Sequence, residues 1–167
     1  MNLEIVAATQ RHRTVMRNLY ELYSHDFSPM IGNDVNDATG MFTDEAFLVN
    51  AWNDPTFHPY LLKVDGKWAG LAWVEEGSYI NPDVDEHWLM AEFFVMRKYR
   101  RLGIGEAFAR ALFDRHAGMW EVGEIHENVD AQRFWRKVIG RYAGAFNEVI
   151  VDNDHWVGPV QRFTRGG

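Results

Sequence analysis

The sequence predicts an α/β fold with one mixed, mostly antiparallel sheet and helices on both of its faces. Apolar runs of strand length alternate with segments whose apolar residues recur at helical spacing. The run Leu89–Met96 shows little polar alternation, which is typical of a strand covered on both faces. Asp65-Gly66 separates two apolar runs and is a strong hairpin signal.

In the first third of the chain, Ser, Thr, Pro and Gly residues mark where elements begin and end. Thr side chains cap helices by accepting a hydrogen bond from a free backbone N–H, and prolines end them. The predicted elements are a strand over Leu3–Ala8, a helix capped by Thr9 and ending near Tyr23, a loop over 24–40, and a second helix capped by Thr43 and ending near Trp52.

The remaining elements follow from the hairpin signal, the apolar runs and a second set of caps. Asn128 is an N-cap residue type, and Gly140 is a common residue type just past a helix end. The predicted elements are hairpin strands Tyr60–Val64 and Trp68–Glu75, a strand Leu89–Met96, a helix Gly105–His116, a strand Trp120–Glu127, a helix from Asn128 to Ile139, and closing strands Tyr142–Val151 and Val160–Phe163.

This element order, β-α-α-β-β-β-α-β-α-β-β, places one strand–helix–strand crossover among antiparallel neighbours. The length of 167 residues suits a single domain over 1–167.

The composition of the chain argues against several classes of partner, site and location. The net charge of −7 argues against nucleic acid as a partner and favours a cationic or amine substrate. The absence of Cys excludes a cysteinyl acyl-enzyme, and no His pair has metal-ligand spacing, so we predict no metal. No apolar run has spanning length and no signal peptide is found, so we expect a cytoplasmic protein with no membrane partner.

The segment Arg100-Arg101-Leu102-Gly103-Ile104-Gly105 lies between a predicted strand and a predicted helix. A helix N-terminus presents unpaired N–H groups, and glycines let them approach a phosphate closely. Arginines add donors that suit phosphate oxygens. The segment therefore predicts an anion-binding turn; the alternative is a plain strand-to-helix turn with two solvated arginines.

Two motifs give the chain a resemblance to a known family. The order Arg-x-x-Gly-x-Gly at 100–105 resembles the pyrophosphate loop of the GNAT superfamily of acetyl-CoA-dependent acyltransferases. Residues 128–135, Asn-x-x-Ala-x-x-Phe-Trp, resemble the segment that follows the fifth strand in that superfamily. A closer resemblance, to an uncharacterised bacterial GNAT subgroup, covers Glu92–Lys137. The GNAT element order spans essentially the whole chain.

The resemblance implies acetyl-CoA as co-substrate and a set of residues that bind it. The turn 101–106 would bind the pyrophosphate through backbone amides, with Arg100 or Arg101 assisting. Pantetheine would pair with strand amides where two strands splay apart. Asn128 would contact the cofactor, although it can equally be an ordinary N-cap. The implied cofactor-binding residues are Phe94, Val95, Met96, Arg100, Arg101, Leu102, Gly103, Ile104, Gly105, Asn128 and Trp135.

The chain departs from the family pattern at two positions. Trp135 stands where relatives often carry the Tyr that protonates the departing thiolate, and an indole N–H is no general acid. Glu106 stands where many relatives carry Lys, Arg or Ser beside the phosphates. As an acid in the first helical turn it is favourable for the helix, but it repels pyrophosphate.

Glu92 is the ionisable residue of the run Leu89–Met96, and an unpaired carboxylate inside such a run is costly. One interpretation is a general base that deprotonates the acceptor ammonium. The other is a structural carboxylate paired with a group such as Arg13 or Arg17. The sequence leaves both open.

The sequence thus predicts an N-acetyltransferase that moves an acetyl group directly to an amine of a small molecule or peptide. Glu21, Asp26 and the rings between them are candidates to bind a cationic acceptor, or form a solvated helix end. The alternative function is a non-catalytic acyl-CoA-binding regulatory module with a degenerate site. A homodimer is one alternative for its assembly.

Overall fold

The computed structural model describes residues 1–43, 48–49 and 52–164. Within these residues it has seven strands and three α-helices. The strands are β1 (Leu3–Ala7), β2 (Phe57–Val64), β3 (Lys67–Glu76), β4 (Trp88–Val95), β5 (Met119–Gly123), β6 (Asn147–Asp152) and β7 (Val157–Thr164), and the helices are α1 (Arg13–Ile31), α2 (Ile104–Arg115) and α3 (Val129–Ala143).

The strands form one mixed sheet in the order β1-β2-β3-β4-β5-β7-β6. β4 and β5, which flank α2 in the sequence, pair in parallel, while β1–β2, β5–β7 and β6–β7 pair antiparallel. The predicted mixed α/β fold is therefore confirmed. Most of the predicted second helix falls on residues 44–47, 50 and 51, outside the described residues.

The predicted loop over 24–40 begins later than expected, because α1 continues to Ile31 and ends at Gly32 in the left-handed conformation, φ 70°. Pro29 lies inside this helix and has no N–H to donate to the carbonyl of His25. The Ser28 hydroxyl donates to that carbonyl instead, at 2.9 Å. The lost backbone hydrogen bond is thus replaced by a side-chain one.

The predicted helix stop at Gly140 is also wrong, since α3 passes it and ends at Ala143. The Tyr142 ring packs 5.2 Å from Phe113, and its hydroxyl donates to Asp114 at 2.9 Å. These contacts with α2 hold the last turn of α3, and β6 consequently begins at Asn147 rather than at the predicted Tyr142.

The chain divides into two compact units, and β3 and β4 contribute residues to both. The first unit comprises Met1–Trp73 and Glu92–Leu102, and the second comprises Val74–Ala91 and Gly103–Gly167. In the first unit, the core contains Met16 and Leu19 of α1 with Leu61, Leu62 and Leu71 of the sheet. In the second, it contains Phe108, Leu112 and Phe113 of α2 with Trp120, Trp135, Ile139 and Phe163.

In the second unit, β4 and β5 stay paired over a short distance. The register aligns Trp88 with Trp120 and Leu89 with Glu121, although β5 continues to Gly123. Beyond these two pairs, the Gln132 amide donates to the carbonyls of Ile125 and His126, at 3.0 and 3.1 Å. The chain thus turns out of β5 into α3 well before Glu127, where the sequence predicted the strand to end.

In the first unit, β3 and β4 approach each other unusually closely at Gly70. A Cβ atom at this position would lie 2.2 Å from the carbonyl oxygen of Phe94, so no larger residue fits without a backbone shift. No helix among the described residues is both long and apolar enough to cross a membrane.

Candidate active site

The turn before α2 presents backbone amides. Arg101 and Gly103 both have positive φ, 63° and 77°, and a Cβ atom at Gly103 would have no heavy atom within 4 Å. Alternating left-handed residues turn successive N–H groups to one side and form an anion-binding concavity. Ile104, buried at 2% exposure, anchors the first turn of α2, whose N–H groups have no partner inside the helix.

The two arginines at this turn have different surroundings. Arg100 donates from Nε to the carbonyl of Val95 at 2.6 Å and from Nη2 to Asp26, which also binds Arg97 at 2.8 Å. Partial burial raises the pKa of Asp26, and the hydrogen bonds and charges of the two arginines lower it by more, so its pKa lies below the ordinary value. Arg100 thus holds the turn, and the exposed Arg101 is the arginine available to a phosphate.

Glu106 forms an ion pair within the second unit. Its carboxylate accepts a hydrogen bond from Nη1 of Arg141 at 2.9 Å. The repulsion of pyrophosphate expected from this acid in the first turn of α2 is therefore partly cancelled.

The amides at the end of β4 point to opposite edges of the strand. The Met96 N–H donates to the carbonyl of Ala69 at 2.8 Å, on the β3 side. Successive strand residues direct their amides to opposite edges, so the Val95 N–H is directed away from β3. Of the three amides predicted to pair with pantetheine, that of Val95 has the suitable orientation.

Glu92 accepts a hydrogen bond from the hydroxyl of Tyr20 on α1, at 3.0 Å. Burial, then the charge and hydrogen bond of Glu92, raise the pKa of Tyr20 far above its ordinary value, so this hydroxyl stays a donor. The Tyr20 ring stacks on Trp73 at 5.0 Å with an interplanar angle of 16°. The Tyr20 side chain, which is fixed by its stacking on Trp73, thus holds the Glu92 carboxylate in place.

An apolar cleft lies against the same tryptophan in the first unit. Its cavity volume is about 10 Å³, room for about one water molecule, and its lining residues are Met16, Trp52, Phe57, Pro59 and Trp73.

The carboxylates proposed for a cationic acceptor are both engaged. Glu21 accepts from the backbone N–H groups of Phe42 and Thr43, each at 2.8 Å. Asp26 forms ion pairs with Arg97 and Arg100. These acids organise α1 and its following segment, which leaves Glu92 as the better candidate to meet an ammonium group.

At the N-terminus of α3, the Asn128 side chain accepts from the Ala131 N–H at 3.1 Å, so its capping role is established. Trp135 lies two turns further on the same helix and is 5% exposed. Its ring packs 4.9 Å from Phe134 and 6.3 Å from Phe113. Whether either residue contacts a cofactor stays a prediction.

Sequence reasoning missed two buried carboxyl groups in and after β5. Glu121, 0% exposed, accepts from the Ser78 hydroxyl at 2.9 Å and from the Tyr79 N–H at 2.8 Å, and it lies 3.0 Å from His87 Nδ1. Glu124, 4% exposed, binds Gln161. Both acids lie in the predicted strand 120–127, and isolated acids in such a run were the available signal.

In the described part of the chain, no group of three or more His, Asp or Glu side chains is arranged to hold a metal ion.

Comparison of the sequence with known protein families shows the family to which the chain belongs. Residues 16–140 match the sequence profile described as the acetyltransferase (GNAT) family. The chain belongs to the GNAT family. It is therefore placed among the acyltransferases, and the resemblance inferred from the two motifs is confirmed. None of the curated proteins compared with this GNAT chain matches it significantly.

Solved structures share the fold of this GNAT chain at low identity. An acetyltransferase from Thermus thermophilus has a TM-score of 0.70 at 14% identity, over 99% of this chain and 97% of that one. A spermidine N-acetyltransferase from Vibrio cholerae, in complex with CoA and spermine, has a TM-score of 0.65 at 12% identity, over 96% and 92%. The ribosomal-protein-S18-alanine N-acetyltransferase from Escherichia coli has 0.63 at 14%, over 99% and 96%.

Proposed function

We propose that this GNAT chain transfers an acetyl group from acetyl-CoA directly to an amine acceptor in a ternary complex. The observation that carries the proposal is the open amide turn at Arg101–Gly103 before α2, which suits the pyrophosphate of CoA. The chain has no Cys, so a cysteinyl intermediate is excluded. The family match includes residues of both compact units, which supports one catalytic domain over 1–167.

In this proposal, the N–H groups of the turn and of the first turn of α2 bind the pyrophosphate, with Arg101 assisting. Pantetheine pairs with the Val95 amide, which is directed away from β3. Asn128 and Trp135 remain proposed contacts of the cofactor through α3.

The acceptor amine is proposed to meet Glu92. The carboxylate takes a proton from the ammonium group, directly or through a water molecule, and the freed nitrogen lone pair attacks the thioester carbon. The net charge of −7 favours the approach of such a cation.

A panel of amines tests the proposal. We expect CoA release above the rate of acetyl-CoA hydrolysis with at least one primary amine, together with an acetylated product in the mass spectrum. Tight acetyl-CoA binding without transfer to any amine would contradict catalysis and favour the regulatory-module alternative.

A second prediction concerns Trp135. If the indole only packs beside the cofactor, Trp135→Phe should lower turnover by well under the ~10²–10⁴-fold that loss of a general acid–base group causes. Trp135→Tyr should be tolerated, because it retains a large ring with a polar tip. Steady-state kinetics with circular dichroism as the control for folding measure this. Loss of turnover in a folded Phe variant would contradict the packing role.

A further inference from the structure

Arg17, in the second turn of α1, is a half-buried cation without a counter-ion in the described part of the chain. Its Nε atom is buried and has no hydrogen-bond partner. No hydrogen bond or ion pair joins its guanidinium group to another described residue, so Arg17 is not the partner of Glu92 that the sequence allowed. A buried donor without an acceptor is costly, and a buried charge without a partner is more so. The side chain therefore calls for an anion.

Glu21, the nearest acid along α1, does not neutralise Arg17. The two residues stand four positions apart, the spacing at which an acid and a base can pair on a helix. The oxygens of Glu21 instead accept the backbone N–H groups of Phe42 and Thr43, each at 2.8 Å. The hydroxyl of Thr43 is itself buried without a hydrogen-bond partner. Two unsatisfied donors, a cation and a hydroxyl, thus belong to residues that adjoin Glu21.

The charge of the chain around Arg17 is opposite to that of the whole molecule. The stretch 9–20 contains Arg11, His12, Arg13 and Arg17 and no acid, although the net charge of the chain is −7. Arg13 and Arg17 lie one helical turn apart, where like charges repel and destabilise the helix. An anion bound beside Arg17 would offset this repulsion.

Arg17 also lies near Glu92, the proposed base, within the first unit. It stands three residues before Tyr20, and residues at this spacing adjoin each other on a helix, with Cβ atoms about 5–6 Å apart. The Tyr20 hydroxyl donates to Glu92 at 3.0 Å. One small molecule can therefore offer an amine to Glu92 and an anionic group to Arg17.

We propose that Arg17 binds a carboxylate group of the acceptor, and that the acceptor is therefore an amino acid or another small amine that carries a carboxylate. A guanidinium group is planar, and its paired N–H donors match the two oxygens of a carboxylate. The Thr43 hydroxyl can donate to the same group. This substrate class rests on the proposed function, because the amine of the same molecule must reach Glu92.

Paired acceptors test the proposal. The probes are ω-amino acids with one to five methylene groups between the amine and the carboxylate, each compared with its primary amide. The amide has nearly the same size and lacks the negative charge. Because the pKa of the amine also differs within a pair, the deciding quantity is the ratio of kcat/KM for the acid to kcat/KM for the amide, compared between the wild type and variants.

Arg17→Gln should lower this ratio at least ~10-fold for the best acid, since a charge-assisted hydrogen bond is lost. The change should come from a higher KM for the acid, with its kcat and the kinetics of the amide near wild type. Arg17→Lys should keep part of the preference, because it retains the charge without the planar fork. Both variants should fold, as circular dichroism checks, because Arg17 has no partner to lose among the described residues.

Arg11→Gln is the matched control, since it removes the same charge at an exposed position before α1. It should keep the wild-type ratio. An unchanged ratio in Arg17→Gln, or an equal fall in Arg11→Gln, would overturn the proposal. If acids and amides are acetylated without any dependence on Arg17, the substrate class fails and the proposed function stands.

Two binding measurements complete the separation from the proposed function. Calorimetry should give Arg17→Gln the wild-type affinity for acetyl-CoA, and a loss of affinity would assign Arg17 to the cofactor and overturn the proposal. If the wild type acetylates no amine, the proposed function fails. Saturation-transfer NMR then decides the anion site: the amino acid should bind to the wild type, whereas its amide should not, and neither should bind to Arg17→Gln. Absence of that difference would overturn the anion site as well.

Discussion

Gly105→Glu is expected to weaken acetyl-CoA binding at least ~100-fold, measured by isothermal titration calorimetry, while the circular dichroism spectrum stays that of the wild type. Gly105 is the second residue of α2, so a carboxylate there stands among the N–H groups proposed to bind pyrophosphate. Like charges brought together at a binding site cost several kcal/mol. An acid in the first turn of a helix is favourable for the helix itself, so the fold should not suffer.

Gly105→Gln is the matched control, since it adds nearly the same volume without the charge. If the turn binds an anion, Gly105→Gln should retain much more affinity than Gly105→Glu, and the difference should shrink as salt screens the charge. Equal losses in both variants would indicate a steric effect. Unchanged affinity in a folded Gly105→Glu protein would refute the proposed pyrophosphate site.

The sequence was sufficient for the architecture because local signals and the apolar pattern agreed. The Asp65-Gly66 hairpin, the strand before Arg97 and the Asn128 cap are all present in the structure. The errors arose where tertiary contacts override a local rule. The Ser28 hydroxyl replaces the hydrogen bond lost at Pro29, and contacts of Tyr142 with α2 extend α3 past Gly140.

The candidate site was predictable in position but less so in detail. The backbone turn before α2 follows from its glycines. The partner of each charged side chain, in contrast, is a residue far along the chain. Arg100 is held by Asp26, and Glu21 is held by two backbone amides of the segment after α1. The contact of the buried Glu124 with Gln161 depends on a pairing of β5 with β7, which no spacing in the sequence specifies.

Glu92→Gln is expected to lower turnover by roughly 10²-fold or more, equal to about 2.7 kcal/mol of barrier, with acetyl-CoA affinity and fold preserved. The change keeps the volume, and the amide oxygen can still accept the hydrogen bond that Tyr20 now donates at 3.0 Å. It removes the capacity to take a proton from the ammonium group. The acidic limb of the pH–rate profile should vanish or move accordingly.

Tyr20→Phe separates this catalytic role from a structural one. It removes the hydrogen bond to Glu92 and keeps the carboxylate, so a base at Glu92 should still work, with the acidic limb moved to higher pH because the ionised form loses a donor. If Glu92 is only a structural partner of Tyr20, Tyr20→Phe should lower Tm, and both variants should leave the turnover of the folded protein near wild type. A fully active Glu92→Gln protein would exclude the catalytic role, because the proton would then not be needed.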